Sequence, residues 1–206
     1  MLSLNNIRKI IESGKPVVWT MHDMWPFTGI CHHADECTKY TTACNNCMYL
    51  SHPSSKDLSY RIFNKKKSVY NGANITFVAC SQWLKNLACE SALTQNHNIT
   101  CIPNPINVNL FKPRDKNKAR EILNLPKEKK LLLFGSVKVS DKRKGIDYLI
   151  EASNLIANKF SDIKDNLGIV IFGERSDIYE SLFPFPIYNM NYVSSEKDLV
   201  DIYNAV

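Results

Sequence analysis

The sequence predicts an α/β fold built on parallel sheets that carry helices on both faces. Two observations support this expectation. Short apolar runs of strand length alternate with longer segments of helical periodicity, most clearly after residue 130. The runs are joined through helical segments rather than two-residue hairpin turns, and strands joined by helical crossovers pair in parallel. With 206 residues, 44% of them hydrophobic and 22% charged, the chain can bury one large core or two small ones.

The elements follow in order. Residues 3–13 read as a helix, with Ser3 as its cap, Ile7, Ile10 and Ile11 on one face, and Gly14 with Pro16 ending it. Residues 16–20 read as a short buried strand, which the polar, Pro- and Gly-containing segment 21–29 cannot continue. Residues 30–53 have little periodicity and hold a cluster of cysteines. A helix over 56–70, a strand over 75–79, a helix over 82–92 and a strand over 100–102 come next. Pro103, Asn104 and Pro105 then turn the chain sharply. Residues 107–127, with Pro113 and Pro126, read as a crossover between two structural halves, 1–106 and 107–206.

In the second half the spacing predicts a strand over 131–135 and a helix over 145–160 with Leu149, Ala152, Ile156 and Phe160 inward. A strand over 168–173, a short one over 187–193 and a helix over 195–206 complete it. Ser195 and Asp198 resemble a capping box, and Leu199, Ile202, Tyr203 and Val206 form an apolar stripe. Because it begins and ends on helices, the pattern reads as a segment of a longer α/β protein.

Residues 1–15 offer no apolar stretch of secretory-signal length, and no later run reaches the roughly 20 apolar residues of a membrane span. The expectation is a soluble cytoplasmic protein. A net charge of +6, gathered in lysine runs at 65–67, 127–130 and 142–144, raises phosphorylated ligands, nucleic acid or an anionic membrane as partners. No aromatics are interleaved with a basic stripe, which argues against nucleic acid.

Three constellations could carry chemistry. The first is the loop Asp141, Lys142, Arg143, Lys144 and Gly145, which opens a helix after a strand. Ligands of open α/β sheets bind at the carboxyl ends of strands, where helix N-termini present free N–H groups. Three cations there suit a diphosphate, the alternative being a solvated basic loop. The glycine pattern of a Walker site or dinucleotide fingerprint is absent, which argues against an ATPase or a dehydrogenase. The second is His22, just past a strand, with Asp23 beside it; Asp23 can orient an imidazole or cap the turn. Ser81 and Asn104, each following a short strand, can line a cleft or form turns.

The third is the run Cys31, Cys37, Cys44 and Cys47, four of seven cysteines, spaced C-x5-C-x6-C-x2-C. Four thiolates can hold a structural zinc ion, with His32, His33 and Asp35 as spare ligands; buried free thiols or a redox pair are the alternatives. Such a zinc would be structural, because four protein ligands leave no open position.

The stretch 141–152, Asp-Lys-Arg-Lys-Gly-Ile-Asp-Tyr-Leu-Ile-Glu-Ala, resembles the start of the donor half of family 4 retaining glycosyltransferases. These are enzymes of the GT-B type, with two Rossmann-like parallel-sheet halves. The segments 102–106 and 111–113 resemble that family's interdomain passage, and 169–173, 192–193 and 198–203 its next elements. Residues 19–29 with the cysteines resemble a subgroup of bacterial enzymes that make colanic acid and other exopolysaccharides.

The resemblance implies a sugar transferred from a UDP- or GDP-sugar to a glycan or lipid-linked acceptor, with peripheral association at the inner face of the membrane. No metal or other cofactor would be needed for that catalysis. Residues 1–106 would be part of the acceptor-side half and 107–206 part of the donor half. Lys144, helped by Arg143, would neutralise the departing diphosphate beside Gly135 and Ser136, and His22 would meet the donor sugar or the reacting centre. The family usually has an Arg directly after the strand-ending glycine, where this chain has Ser136. The family's acidic pair would lie beyond Val206, so this stretch alone is expected to bind donor rather than turn it over.

Overall fold

The computed structural model describes residues 2–206, with backbone alone at residues 161 and 162. The chain divides into two compact units, Met1–Pro105 and Ile106–Val206. Each holds a three-stranded parallel sheet with helical crossovers, an arrangement compatible with a Rossmann-like half.

In the first unit the order is α1 (Leu4–Glu12), β1 (Val17–Met21), α2 (Leu58–Tyr70), β2 (Ile75–Ala79), α3 (Gln82–Glu90) and β3 (Asn98–Cys101). Each helix begins where a short polar side chain can take over an unsatisfied N–H. Ser3 accepts from the Asn6 N–H, Asp57 from the Tyr60 N–H and Ser81 from the Leu84 N–H. Ser81 is therefore a helix cap, the turn-forming alternative for that residue.

The strands stand in the order β1-β2-β3, in register from Val17 opposite Ile75 to Met21 opposite Ala79. β2 is the buried centre, with Phe77 packed against Trp19 and Tyr70. The expectation of a buried strand at 16–20 needs correction. β1 is an edge strand whose residues alternate in exposure, and Val18 is 67% exposed.

The second unit runs α4 (Lys116–Ile122), β4 (Lys130–Lys138), α5 (Ile146–Lys159), β5 (Leu167–Glu174), β6 (Ile187–Asn189) and α6 (Glu196–Ala205). β5 is central, and Ile169, Val170 and Ile171 are all fully buried although successive side chains point to opposite faces. On one face Ile169 and Ile171 pack with Ile146 and Ala157 of α5; on the other Val170 packs with Ala119 of α4 and Ile202 of α6. This sheet is covered on both sides.

Four details depart from the sequence reading. The crossover 107–127 contains the helix α4, capped by Asp115 and only seven residues long, too short for a clear apolar stripe. α5 turns Ile146, Ser153 and Ala157 inward, not Ala152 and Phe160, and Phe160 is half exposed. Small side chains let this helix approach β5, so apolar spacing alone misplaces its face. α6 buries Val200, Asp201, Ile202 and Ala205 and leaves Tyr203 outside. β6 ends at Asn189 rather than near Val193. The Asn189 side chain bonds Ser176, Glu180 and the Asn191 N–H, and Asn191 adopts a positive φ that leaves the strand.

Among the described residues no helix is long and apolar enough to cross a membrane.

Candidate functional site

In the second unit β4 continues past Gly135 with a register irregularity between Gly135 and Lys138. Two glycines hold β4 and β5 tightly together there. A Cβ on Gly135 would overlap the Phe172 ring, and one on Gly173, which has φ +133°, would overlap the Ser136 carbonyl oxygen. The Ser136 hydroxyl is buried and makes no hydrogen bond among the described residues.

Beyond β4 the basic segment forms a 3-10 turn, Lys142–Lys144, before α5 begins. Asp141 organises it. Its carboxylate accepts from the Arg143 main-chain N–H at 3.1 Å and takes the guanidinium in a fork, from Nε at 3.0 Å and Nη2 at 2.6 Å. The hydrogen bonds from Arg143 hold the Asp141 carboxyl well below its usual range, to about 2, against the opposing effect of desolvation.

Lys144 donates its N–H to the Asp141 carbonyl at 2.8 Å, and Gly145, left-handed at φ +79°, turns the chain into α5. Gly145 supplies no side-chain cap to α5, so the first N–H groups of a fourteen-residue helix are left for another acceptor. Lys142 and Lys144 are exposed beside them, and Asp147 in the first turn offsets part of the positive potential. The arrangement can attract an anion. Because Arg143 is turned onto Asp141, the lysines are the better placed to meet it.

In the first unit His22 is exposed at the carboxyl end of β1. It lines a cavity of about 450 Å³ together with Asp23, Trp25, His32 and residues of α1 and β1. Asp23 both caps the turn and orients an imidazole, but the imidazole belongs to His32. One oxygen accepts from the Trp25 N–H at 2.8 Å and the other lies 2.8 Å from His32 Nδ1. Asn104 is exposed in the segment after β3.

The loop after His22 is held from below by side chains the sequence reading missed. Lys66, fully buried on α2, donates Nζ to the carbonyls of Trp25, Thr28 and Gly29 at 2.5, 3.0 and 3.1 Å. Its Nζ also stands 3.6 Å from the centre of the Trp25 ring. Burial pushes the Lys66 ammonium down to about 7, with Cys44, Asp23 and Cys31 acting the other way. The Tyr70 hydroxyl donates to the Pro26 carbonyl and the Ser91 hydroxyl to that of Phe27. A signal for Lys66 existed. Within the run Lys65, Lys66 and Lys67 it alone stands three or four residues from each of Ile62, Phe63, Val69 and Tyr70, the apolar positions of the helix on either side.

Cys31, Cys37 and Cys44 are half-buried and Cys47 is buried, all as free thiols. They come together. Burial, then the nearby Cys47, Cys44 and Cys37, push the Cys31 thiol up to about 11. The Gly29 N–H donates to Cys44 Sγ at 3.3 Å, and the Cys47 N–H donates to the buried Asp57 carboxylate at 2.8 Å. Among the described residues no group of three His, Cys, Asp or Glu side chains is preassembled to hold a metal.

The sequence-derived candidates thus fall into separate sets: His22 with the cysteines in the first unit, Gly135, Ser136, Arg143 and Lys144 in the second. No protein-family model matches the chain, and comparison with curated proteins finds no match.

Proposed function

We propose that this chain is part of a retaining glycosyltransferase of the GT-B type, related to family 4, and that its second unit binds the diphosphate of a UDP- or GDP-sugar. The reading rests first on the likeness of residues 141–152 to that family's donor-binding segment. The observation that carries it is the turn Lys142–Lys144 set directly before the uncapped N-terminus of α5, beyond the carboxyl end of β4. Phosphate oxygens would accept from the first N–H groups of α5 and from the Lys144 ammonium. As the sugar–phosphate bond breaks, negative charge grows on the departing diphosphate, and preorganised cations stabilise it. His22 would face the donor sugar or the reacting centre, and the acceptor would be a glycan or lipid-linked chain at a membrane surface.

Calorimetric titration with UDP and GDP tests the reading. Binding is expected at low salt, and Lys144→Ala should weaken it about tenfold, the loss of one charge-assisted phosphate contact. Unchanged affinity in Lys144→Ala would remove the diphosphate role. Salt-sensitive binding of DNA or RNA, with no response to either nucleotide, would replace it with nucleic-acid binding.

A further inference from the structure

We propose that Cys31, Cys37, Cys44 and Cys47 ligate one structural zinc ion that organises the long segment between β1 and α2. The inference concerns the first unit and does not depend on nucleotide binding by the second.

Residues 22–57 contain no α-helix or strand, only two three-residue 3-10 turns, Trp25–Phe27 and Lys39–Thr41. A connection this long without regular structure has lost much conformational freedom for few ladder hydrogen bonds, and something else must hold it. Met24, Phe27, Ala34 and Tyr40 supply the segment's buried apolar side chains, and the cysteines stand beside them. Cys31, Cys37 and Cys44 pack against the buried cluster around Phe27, Tyr40 and Phe63.

Burial alone favours the neutral thiols, but contacts around them would suit the thiolates that a bound metal creates. The Gly29 N–H points at Cys44 Sγ, an amide–sulfur contact that strengthens when sulfur carries negative charge. The turn between Cys44 and Cys47 is braced from both sides: Lys39 Nζ donates to the Asn45 and Asn46 carbonyls, and Asp57 accepts from the Cys47 N–H. Close by lies a fully buried ammonium, Lys66, with carbonyl partners but, among the described residues, no carboxylate within ion-pair distance. A buried cation without an anion is costly. Zinc held by four thiolates has a net charge of about −2 and would supply the missing counter-charge.

Soft sulfur ligands select zinc over magnesium or calcium. On loading, each thiol gives its proton to solvent, and the sulfurs rotate to about 2.3 Å from the metal in a tetrahedron. The thiols are neighbours but are not preassembled among the described residues, so capture completes the fold of the loop. No coordination position remains for substrate.

Metal analysis of the full chain, purified without chelator, should find about one zinc per chain. Cobalt substitution should give the intense visible and near-ultraviolet bands of tetrahedral thiolate ligation. Mass-spectrometric alkylation should modify the exposed Cys89 while leaving the four loop cysteines protected, and chelation should expose all four together. Cys89→Ser should keep the metal, whereas Cys44→Ser/Cys47→Ser should lose it. The alkylation pattern of the unmutated chain keeps the test decisive even if that double variant fails to fold. Absence of metal, iron in its place, equal alkylation of all the cysteines with or without chelator, or a disulfide among the four overturns the proposal.

Discussion

Both units bury one basic side chain among main-chain carbonyls, and the two use it differently. In the first unit Lys66 gathers three carbonyls of the loop after β1. In the second Arg120 bonds the Ala205 carbonyl through Nε and those of Pro126, Lys127 and Lys129 through Nη1. Arg120 thereby ties α4, the approach to β4 and the end of α6 into one scaffold. A guanidinium keeps its charge on burial and spreads its donors over a fixed fork, whereas an ammonium is a point charge that burial can discharge. The contrast is between a scaffold clamped by a permanent cation and the loop after β1, pinned by one whose charge depends on its surroundings. At Lys142–Lys144, the diphosphate site proposed for the second unit, the cations are exposed instead.

The largest expected effect breaks the scaffold clamp. Arg120→Met leaves four carbonyls without their donor and should destabilise the second unit by about 4 kcal/mol. All three tryptophans, Trp19, Trp25 and Trp83, lie in the first unit. Urea unfolding should therefore show the loss by far-ultraviolet circular dichroism and leave the tryptophan-fluorescence transition in place. A shift of the fluorescence transition by the same amount would mean that the two clamps are not separate devices. Lys66→Met gives the mirror result, a fluorescence transition weakened by about 2 kcal/mol, smaller because an apolar side chain recovers the packing.

The glycine pair sharpens the contrast within the second unit. Gly173→Ala brings a Cβ against main chain at a positive φ and should cost about 3 kcal/mol. Gly135→Ala meets only the far end of the Phe172 side chain, which can swing, and should cost about 1 kcal/mol. Equal losses by circular dichroism would contradict that reading.

The smallest effect is the acid response of the loop. The Asp141 pKa is depressed from 3.8 to about 2 in the folded chain, so its contribution is complete above the unfolded value and disappears as pH falls through about 2. The pair is solvent-accessible and salt-screened, so the loss is slight. Carboxyl NMR should place the Asp141 midpoint below the usual carboxylate range, and Arg143→Gln should bring it back up.

The alternation of strands and helices, the caps at Ser3 and Ser195 and the existence of the strand β5 were legible in the sequence, because propensity, capping and apolar period act over a few neighbouring residues. The order of the basic loop and the helix after it was legible for the same reason. Tertiary structure alone decided which carbonyls Lys66 meets, which histidine Asp23 orients and that β1 lies at an edge. It also set the inward face of α5, where Ser153 and Ala157 take positions that apolar spacing gave to larger side chains. Those outcomes depend on distant partners, as in the bond from Lys66 to the Trp25 carbonyl 41 residues away, and local sequence carries no record of which distant carbonyl will need a donor.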